Sequence, residues 1–545
     1  MSALPDRIVA PDRLPRDAST LRALIDARAQ SAPDKPFLLS AARDDVLTFG
    51  ALREDCIELE ARFKAAGLHR GDVVSVFMGN GIQTARLLLA TMYSGLVANP
   101  LNLLCQPSQV SYIVEHSDTR VIFVADDTHD TIVDAIGALR REGMDREIAV
   151  VRTSPGSNEV PDIPMLSARV TPLVRDETPG TRIVASGACA MNPDDTALLM
   201  YTSGTTGAPK GVLLSHRSLL ANMRNISAEH RLSEDDRVLV SLPLYHINGL
   251  VVALLTPLWH GGSAVMTPRF SARTFWKEAS YSGCTWINVV PTIVAYLLNA
   301  ESAQDCDLSA LKFCRSASAA LPADHHRAFE ERFGIGVIET MGMTETAAPM
   351  FSNPYDMTMR RLGSIGLPSG GEAKIVDLDG RECAPNETGE LVLRGGQLMS
   401  GYYKRPEETR NAFTADGWLR TGDLGYRDEA GFFYINGRAK ELIIKGGENI
   451  APREIDEALL RHPGVLEAAA VGVPDAAYGQ DIVAYIVPSG GATSLDVAAL
   501  RAHCLRELGR YKTPREFRFT DALPRGPSGK VQRLKLVQDS QPAPG

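Results

Sequence analysis

Between Tyr201 and Gly211 the chain reads Tyr-Thr-Ser-Gly-Thr-Thr-Gly-Ala-Pro-Lys-Gly, directly after the apolar run Ala197-Leu-Leu-Met200. Glycines let the backbone turn so that several N–H groups converge, hydroxyls add donors, and Lys210 supplies a point charge, so these residues together suit a phosphate. The loop is not of the Walker A kind, because Lys210 follows Pro209 rather than a glycine and precedes Gly211 rather than a metal-binding hydroxyl. A Gly/Thr-rich surface loop is the competing reading, and the strand pattern in front of it speaks against that. Four more segments carry residues with chemistry of their own: Thr340-Met-Gly-Met-Thr-Glu345, Gly417-Trp-Leu-Arg-Thr-Gly-Asp423, Gly437-Arg-Ala-Lys-Glu441 and Pro524-Arg-Gly-Pro-Ser-Gly-Lys-Val531. Glu345 offers a hard oxygen ligand, Asp423 an acceptor for ribose hydroxyls, and Lys530 a cation on a Gly/Pro/Ser loop. The plainer alternatives are a buried ion pair, a turn cap and a solvated lysine.

In this order the segments resemble the adenylate-forming superfamily of acyl-CoA synthetases, luciferases and peptide-synthetase adenylation domains. Every position of that family's phosphate loop fits, and the likeness runs over nearly the whole chain. The resemblance implies that ATP and AMP are held by Thr202, Ser203, Gly204, Thr205, Thr206, Gly207, Lys210, Glu339, Thr340, Met341, Thr344, Asp423, Arg438 and Lys530. It implies Glu345 as the Mg²⁺ ligand, with Thr202 a second candidate, and Lys530, Glu345 and His246 as the catalytic group. Lys440 matches the hinge about which a small C-terminal domain turns, while Arg269, Gly446 and Gly447 match positions that contact coenzyme A. The implied reaction joins a carboxylate to AMP with release of pyrophosphate, then passes the acyl group to the thiol of coenzyme A. ATP, Mg²⁺ and coenzyme A are therefore the expected cofactors and co-substrates. A luciferase-like oxygenase and a silent nucleotide-binding protein are the rival classes.

The identity of the acid is narrowed by departures from the family pattern. Amino-acid-activating domains place an Asp in a Phe-Asp-x-Ser context where this chain reads Pro243-Leu-Tyr-His-Ile-Asn-Gly249, and fifteen residues after Lys530 leave no room for a carrier domain. His246 matches a histidine that gates the acid pocket, Asn248 stands where hydroxycinnamate ligases carry Tyr, and Met341 replaces an aromatic residue that stacks on adenine. The loop Arg315-Ser-Ala-Ser-Ala-Ala-Leu321 puts Ser318 at a small apolar position. With His246, Asn248, Arg315, Ser316 and Ser318 as pocket donors, the region resembles ligases for oxalate and similar short anionic acids, sulfoacetate among them. Medium-chain or aryl acids are the alternative, and a structural role for Arg315 stays open.

The elements that must position these residues follow from pattern. Alternating helical and strand signals over the first two hundred residues, including helices over Leu21 to Ala32 and Phe49 to Ala66 and strands over 72–77 and 120–125, argue for α/β layers with parallel sheet. From Gly363 to Gly437, Gly-punctuated short segments such as Gly389-Glu-Leu-Val-Leu-Arg394 predict an antiparallel, barrel-like region. A last unit follows, with helices over Pro452 to Arg461 and Ser494 to Leu508 and a strand over Ala468 to Val473. The expected architecture is thus a large α/β N-terminal domain, 1–436, made of layered subdomains plus the barrel-like region, and a small mobile α+β C-terminal domain, 437–545.

Fifty-seven basic against sixty-six acidic residues give a net charge of −9, so no global positive field exists to hold nucleic acid or an anionic membrane. The eight cysteines contain no Cys-x-x-Cys pair that would suggest a metal ribbon or a redox centre. No apolar run reaches the ~18 residues of a membrane span and no signal peptide is evident, so a cytoplasmic enzyme is expected. A homodimer is left open.

Overall fold

The computed structural model describes residues 18–166, 191–202, 208–300, 303, 305–446, 448–489, 495–525 and 531–538. The expectations for Ser203, Gly204, Thr205, Thr206, Gly207, Gly447 and Lys530 concern positions outside the described residues.

Two mostly parallel sheets form the large domain. The first has seven strands, in the order Gly401–Tyr402, Lys210–Ser215, Thr196–Thr202, Val97–Pro100, Val73–Phe77, Thr119–Val124 and Ala149–Arg152. The second has nine, with Val337–Met343, Phe313–Ser316, Trp286–Val289, Arg237–Val240, Ser263–Met266 and Pro36–Ser40 in parallel succession and antiparallel strands at both edges. Their strands are nearly continuous apolar runs, as expected where both faces are covered. The helix Ile82–Tyr93 is buried on every side, which places it between layers rather than on the surface. One core cluster includes Val76 of the first sheet, Leu88 of this helix and Val240 of the second.

Capping sets the early helices. The Thr20 and Thr48 hydroxyls accept from Ala23 N and Ala51 N, both at 3.2 Å, and start the helices Leu21–Ser31 and Phe49–Ala65. The segment expected to be barrel-like is an open four-stranded antiparallel sheet, Gly371–Val376, Gly389–Gly395, Leu419–Arg427 and Phe433–Arg438. It carries the chain to a smaller C-terminal domain whose core residues, Ile443, Ile455, Ile482 and Leu500 on one side and Val471, Val483, Leu523 and Leu536 on the other, come from its own elements. Its second long helix runs Val497–Lys512 rather than ending at Leu508. Asp496 caps it by accepting from Ala498 N, and Gly509, at φ +73°, kinks it before Tyr511.

One element was not legible from periodicity. Asn248–Leu255 forms a π-helix, and its residues are all buried. Gly249 is required there because a Cβ would lie 2.2 Å from Pro243 O. π-Helical turns are rare and concentrate at functional sites. Cys56, Cys105, Cys284, Cys306, Cys314, Cys383 and Cys504 are free thiols, and no helix among the described residues is long and apolar enough to cross a membrane.

Candidate active site

The phosphate loop is suspended from a hairpin. Thr196–Thr202 and Lys210–Ser215 pair antiparallel with Thr202 opposite Lys210, so the two ends of the loop are held side by side. The Lys210 ammonium lies 4.9 Å from the ring centroid of Tyr402, and the Tyr402 hydroxyl donates to Glu345 Oε1 at 2.8 Å. Glu345 is 8 % exposed and sits on the short turn Thr344–Thr346. That turn is pinned from outside: Asn222 Nδ2 donates to the carbonyls of Thr346, Ala347 and Pro349, and Met399 N donates to Glu345 O at 2.8 Å. Ala347 and Ala348 both have positive φ, at +53° and +105°, a strained pair of the sort that is held only where its surroundings over-determine it.

A second cluster lies at the edge of the antiparallel sheet. Asp423 and Arg438 are register partners, and Arg438 Nε donates to Asp423 Oδ1 at 2.9 Å. Asp423, nearly buried, is the main cause that raises the Arg438 pKa above its ordinary value, and the charge of Glu345 contributes too, so this pair lies in the field of the first cluster. The two expected ribose contacts are brought together by this pairing.

The third cluster is built on parallel strands. Asn288 and Arg315 are register partners, as are Ser316 and Glu339. Arg315 is 1 % exposed, and its Nη1 donates to Asn248 Oδ1 at 2.8 Å and to Asn288 Oδ1 at 2.7 Å. Asn288 Nδ2 returns to Asn248 O at 3.2 Å, and Asn248 Nδ2 reaches Ser318 Oγ at 3.2 Å. Ser318 is held at φ +75°. Burial pushes the Arg315 guanidinium down to about 9, and no carboxylate among the described residues hydrogen-bonds or ion-pairs with it. Its Nε and the Ser316 hydroxyl are buried without a hydrogen-bond partner. A cation buried this way, fastened only through neutral amides, is set up to receive an anion.

Glu339, expected among the nucleotide contacts, turns its carboxyl toward the 315–321 loop. Oε1 accepts from Leu321 N at 3.1 Å, Oε2 is buried without a partner, and burial pushes its pKa up to about 7. Thr340 Oγ1 reaches Ser316 O at 3.5 Å, and Met341 packs half-buried against the main core. The Tyr245 ring meets His246 edge-on at 4.8 Å, and the His246 carbonyl accepts from Leu250 N at the start of the π-helix. Arg269 is exposed beside Phe270, whose ring stacks on Tyr296 at 6.2 Å. Lys440 is exposed on the short turn Ala439–Glu441, between the antiparallel sheet and the first strand of the C-terminal domain. Gly446 has φ +56°, and a Cβ there would come within 2.9 Å of Tyr511 Oη. Arg525 and Val531, which flank the segment containing Lys530, face each other across an antiparallel bridge.

Two residues escaped sequence reasoning. Asn288 is a polar side chain inside the buried strand Trp286–Val289, and that contrast was its only signal. Tyr402 follows Gly401 in a strand of two residues and carries no pattern of its own.

A metal fits the first cluster in a restricted way. Among the described residues no group of three or more His, Cys, Asp or Glu side chains could cage an ion, so Mg²⁺ must bring most of its ligands with it. Magnesium normally does so, using one or two carboxylates with phosphate oxygens and water, and Glu345 supplies such a carboxylate.

Comparison with known proteins gives the family. Residues 25–403 match the AMP-binding enzyme family and 454–530 its C-terminal domain. The chain is 61% identical to a sulfoacetate–CoA ligase of Cupriavidus necator, over 96% of this chain and 98% of that protein. It is 34% identical to an oxalate–CoA ligase of Arabidopsis thaliana, over 96% and 99%. Its fold superposes on the ATP-bound crystal structure of MatB from Rhodopseudomonas palustris with a TM-score of 0.81 at 29% identity, covering 96% and 98% of the two chains. The chain belongs to the AMP-binding enzyme family, and within it to the AMP-forming acid–CoA ligases.

Proposed function

We propose that the acid this ligase activates is short and doubly anionic, with sulfoacetate the preferred substrate. The carrying observation is Arg315: buried, joined to Asn248 and Asn288, and matched by no carboxylate of the described chain. Keeping an ion away from water costs several kcal/mol unless an opposite charge compensates, and a sulfonate or second carboxylate would do so. The sulfonate of sulfoacetate would face Arg315 and the Ser316 and Ser318 hydroxyls, leaving its carboxylate for the nucleotide. The 61% identical relative named for sulfoacetate supports the same reading.

In the first step a carboxylate oxygen attacks the α-phosphorus of ATP and pyrophosphate leaves. Mg²⁺, which Glu345 would hold together with the ATP phosphates, would offset phosphate charge. Glu345 holds that end of the nucleotide, Thr202 and Lys210 flank the phosphates at the loop ends, and Asp423 with Arg438 fixes the ribose. Lys530 enters the cleft and draws charge from both the carboxylate and the α-phosphate as the new bond forms. In the second step the thiol of coenzyme A attacks the acyl carbon, its proton is lost, and AMP leaves. The C-terminal domain turns about Lys440 between steps, so that Gly446 and Gly447 replace Lys530 at the cleft while Arg269 meets the nucleotide end of coenzyme A. The boundary of that moving domain lies near residue 437, and the enzyme works in the cytoplasm.

Release of AMP dependent on ATP and coenzyme A, measured across oxalate, sulfoacetate, malonate, acetate, hexanoate, benzoate and 4-coumarate, tests this. Turnover confined to the small dianions, greatest with sulfoacetate, is expected. Faster turnover of hexanoate or benzoate would replace the dianion reading with an apolar pocket, and turnover without coenzyme A would count against the thioester step.

A further inference from the structure

The side chain that lies between Glu345 and Lys210 has no role in the reading above. Tyr402 is 8 % exposed; its hydroxyl donates to Glu345 Oε1 at 2.8 Å, and its ring lies 4.9 Å from the Lys210 ammonium. We infer that Tyr402 is a positioning residue that sets the Glu345 carboxylate and the Lys210 ammonium relative to each other, so that metal-bound and metal-free nucleotide phosphates meet a prearranged pair of opposite charges. The inference rests on the nucleotide roles proposed for Glu345 and Lys210.

Two observations carry it. The backbone of Tyr402 is fixed: Gly401 and Tyr402 pair antiparallel with Leu213 and Val212, Tyr403 N donates to Gly211 O at 2.7 Å, and Tyr402 N donates to Thr409 Oγ1 at 2.9 Å. The same segment grips the other side, through Met399 N on Glu345 O at 2.8 Å. Both charged residues are thus referred to one short stretch of chain, although Glu345 lies 57 positions from Tyr402 in sequence. A tyrosine needed only for packing would not require a carboxylate at its hydroxyl and a cation over its ring.

The two contacts separate by substitution. Tyr402→Phe removes the hydroxyl and keeps the ring over Lys210, whereas Tyr402→Leu removes both. Calorimetric titration of ATP into each purified chain, with Mg²⁺ and again in EDTA, reads binding without catalysis. For Tyr402→Phe the dissociation constant with Mg²⁺ rises about tenfold, the loss of one charge-assisted hydrogen bond, and that in EDTA changes less than about twofold. For Tyr402→Leu the constant in EDTA rises as well. Thermal melts identify a Leu variant that fails to fold, in which case the Phe variant decides alone. A Tyr402→Phe chain indistinguishable from wild type in both titrations, or weakened equally in both, overturns the inference while leaving the ligase reading intact. A wild-type chain whose ATP affinity ignores Mg²⁺ overturns the role of Glu345 and the inference with it.

Discussion

Asn288 Oδ1 accepts a 2.7 Å hydrogen bond from Arg315 Nη1, across adjacent parallel strands in which the two residues are register partners. Without Asn288 and Asn248 the guanidinium would be free to change rotamer, so the amides fix where its positive charge points. Replacing Arg315 by Met removes the charge and keeps most of the volume. The expected result is a fall of roughly 100-fold in kcat/KM for sulfoacetate or oxalate, the worth of a charge-assisted contact, with a much smaller fall for acetate. An equal loss for dianions and acetate would mark Arg315 as a structural cation.

Glu339 predicts a pH dependence of stability with an unusual sign. Burial raises its pKa from 4.5 to about 7, so between those values the folded chain holds a proton that the unfolded chain has released. Folding stability therefore declines as pH rises from about 4.5 to about 7 and is level above that, by at most about 3 kcal/mol for this group. Glu339→Gln keeps an acceptor for Leu321 N and removes the titration. Its melting temperature is expected to exceed that of wild type above pH 7 and to converge with it near pH 4.5; parallel curves would show that Glu339 does not titrate in this range.

What was legible in the sequence was whatever local order encodes. The ends of the phosphate loop are a hairpin, so Thr202 and Lys210 pair although they stand eight positions apart. Asp423 and Arg438 lie on consecutive strands of a meander and meet for the same reason. The Asn288–Arg315 and Tyr402–Glu345 contacts were not legible, because each depends on which elements lie side by side after long connections, two adjacent strands in the first case and a strand and a turn in the second, 27 and 57 positions apart. The π-helix Asn248–Leu255 escaped because Asn-Gly-Leu-Val-Val-Ala-Leu-Leu is apolar all round and has no period to read.

Lys530 is expected to act in one half-reaction only. In the proposed mechanism its charge serves while negative charge gathers on the carboxylate and α-phosphate, and thiolysis would use the cleft without it. Lys530→Ala should slow acyl-adenylate formation by about 10²–10³. Thioester formation from supplied acyl-adenylate should change little. Rapid-quench measurement of each step separates the two, and equal losses in both would reject the assignment.

Gly446 should show the opposite split. It adopts φ +56°, and an added Cβ would meet Tyr511 Oη at 2.9 Å. The Tyr511 hydroxyl in turn donates to Lys445 O, while the Lys445 ammonium pairs with Asp481 Oδ1 at 2.6 Å, so the loop has little freedom to yield. Left-handed backbone costs a non-glycine residue about 1–2 kcal/mol, and the contact with Tyr511 adds to that. Gly446→Ala should therefore displace the loop and slow thioester formation by roughly tenfold, with acyl-adenylate formation within about threefold of wild type. Because Lys530 belongs to the same C-terminal domain, a general loss of that domain's packing would depress both steps together. Unequal loss in the two steps is what ties Gly446 to coenzyme A.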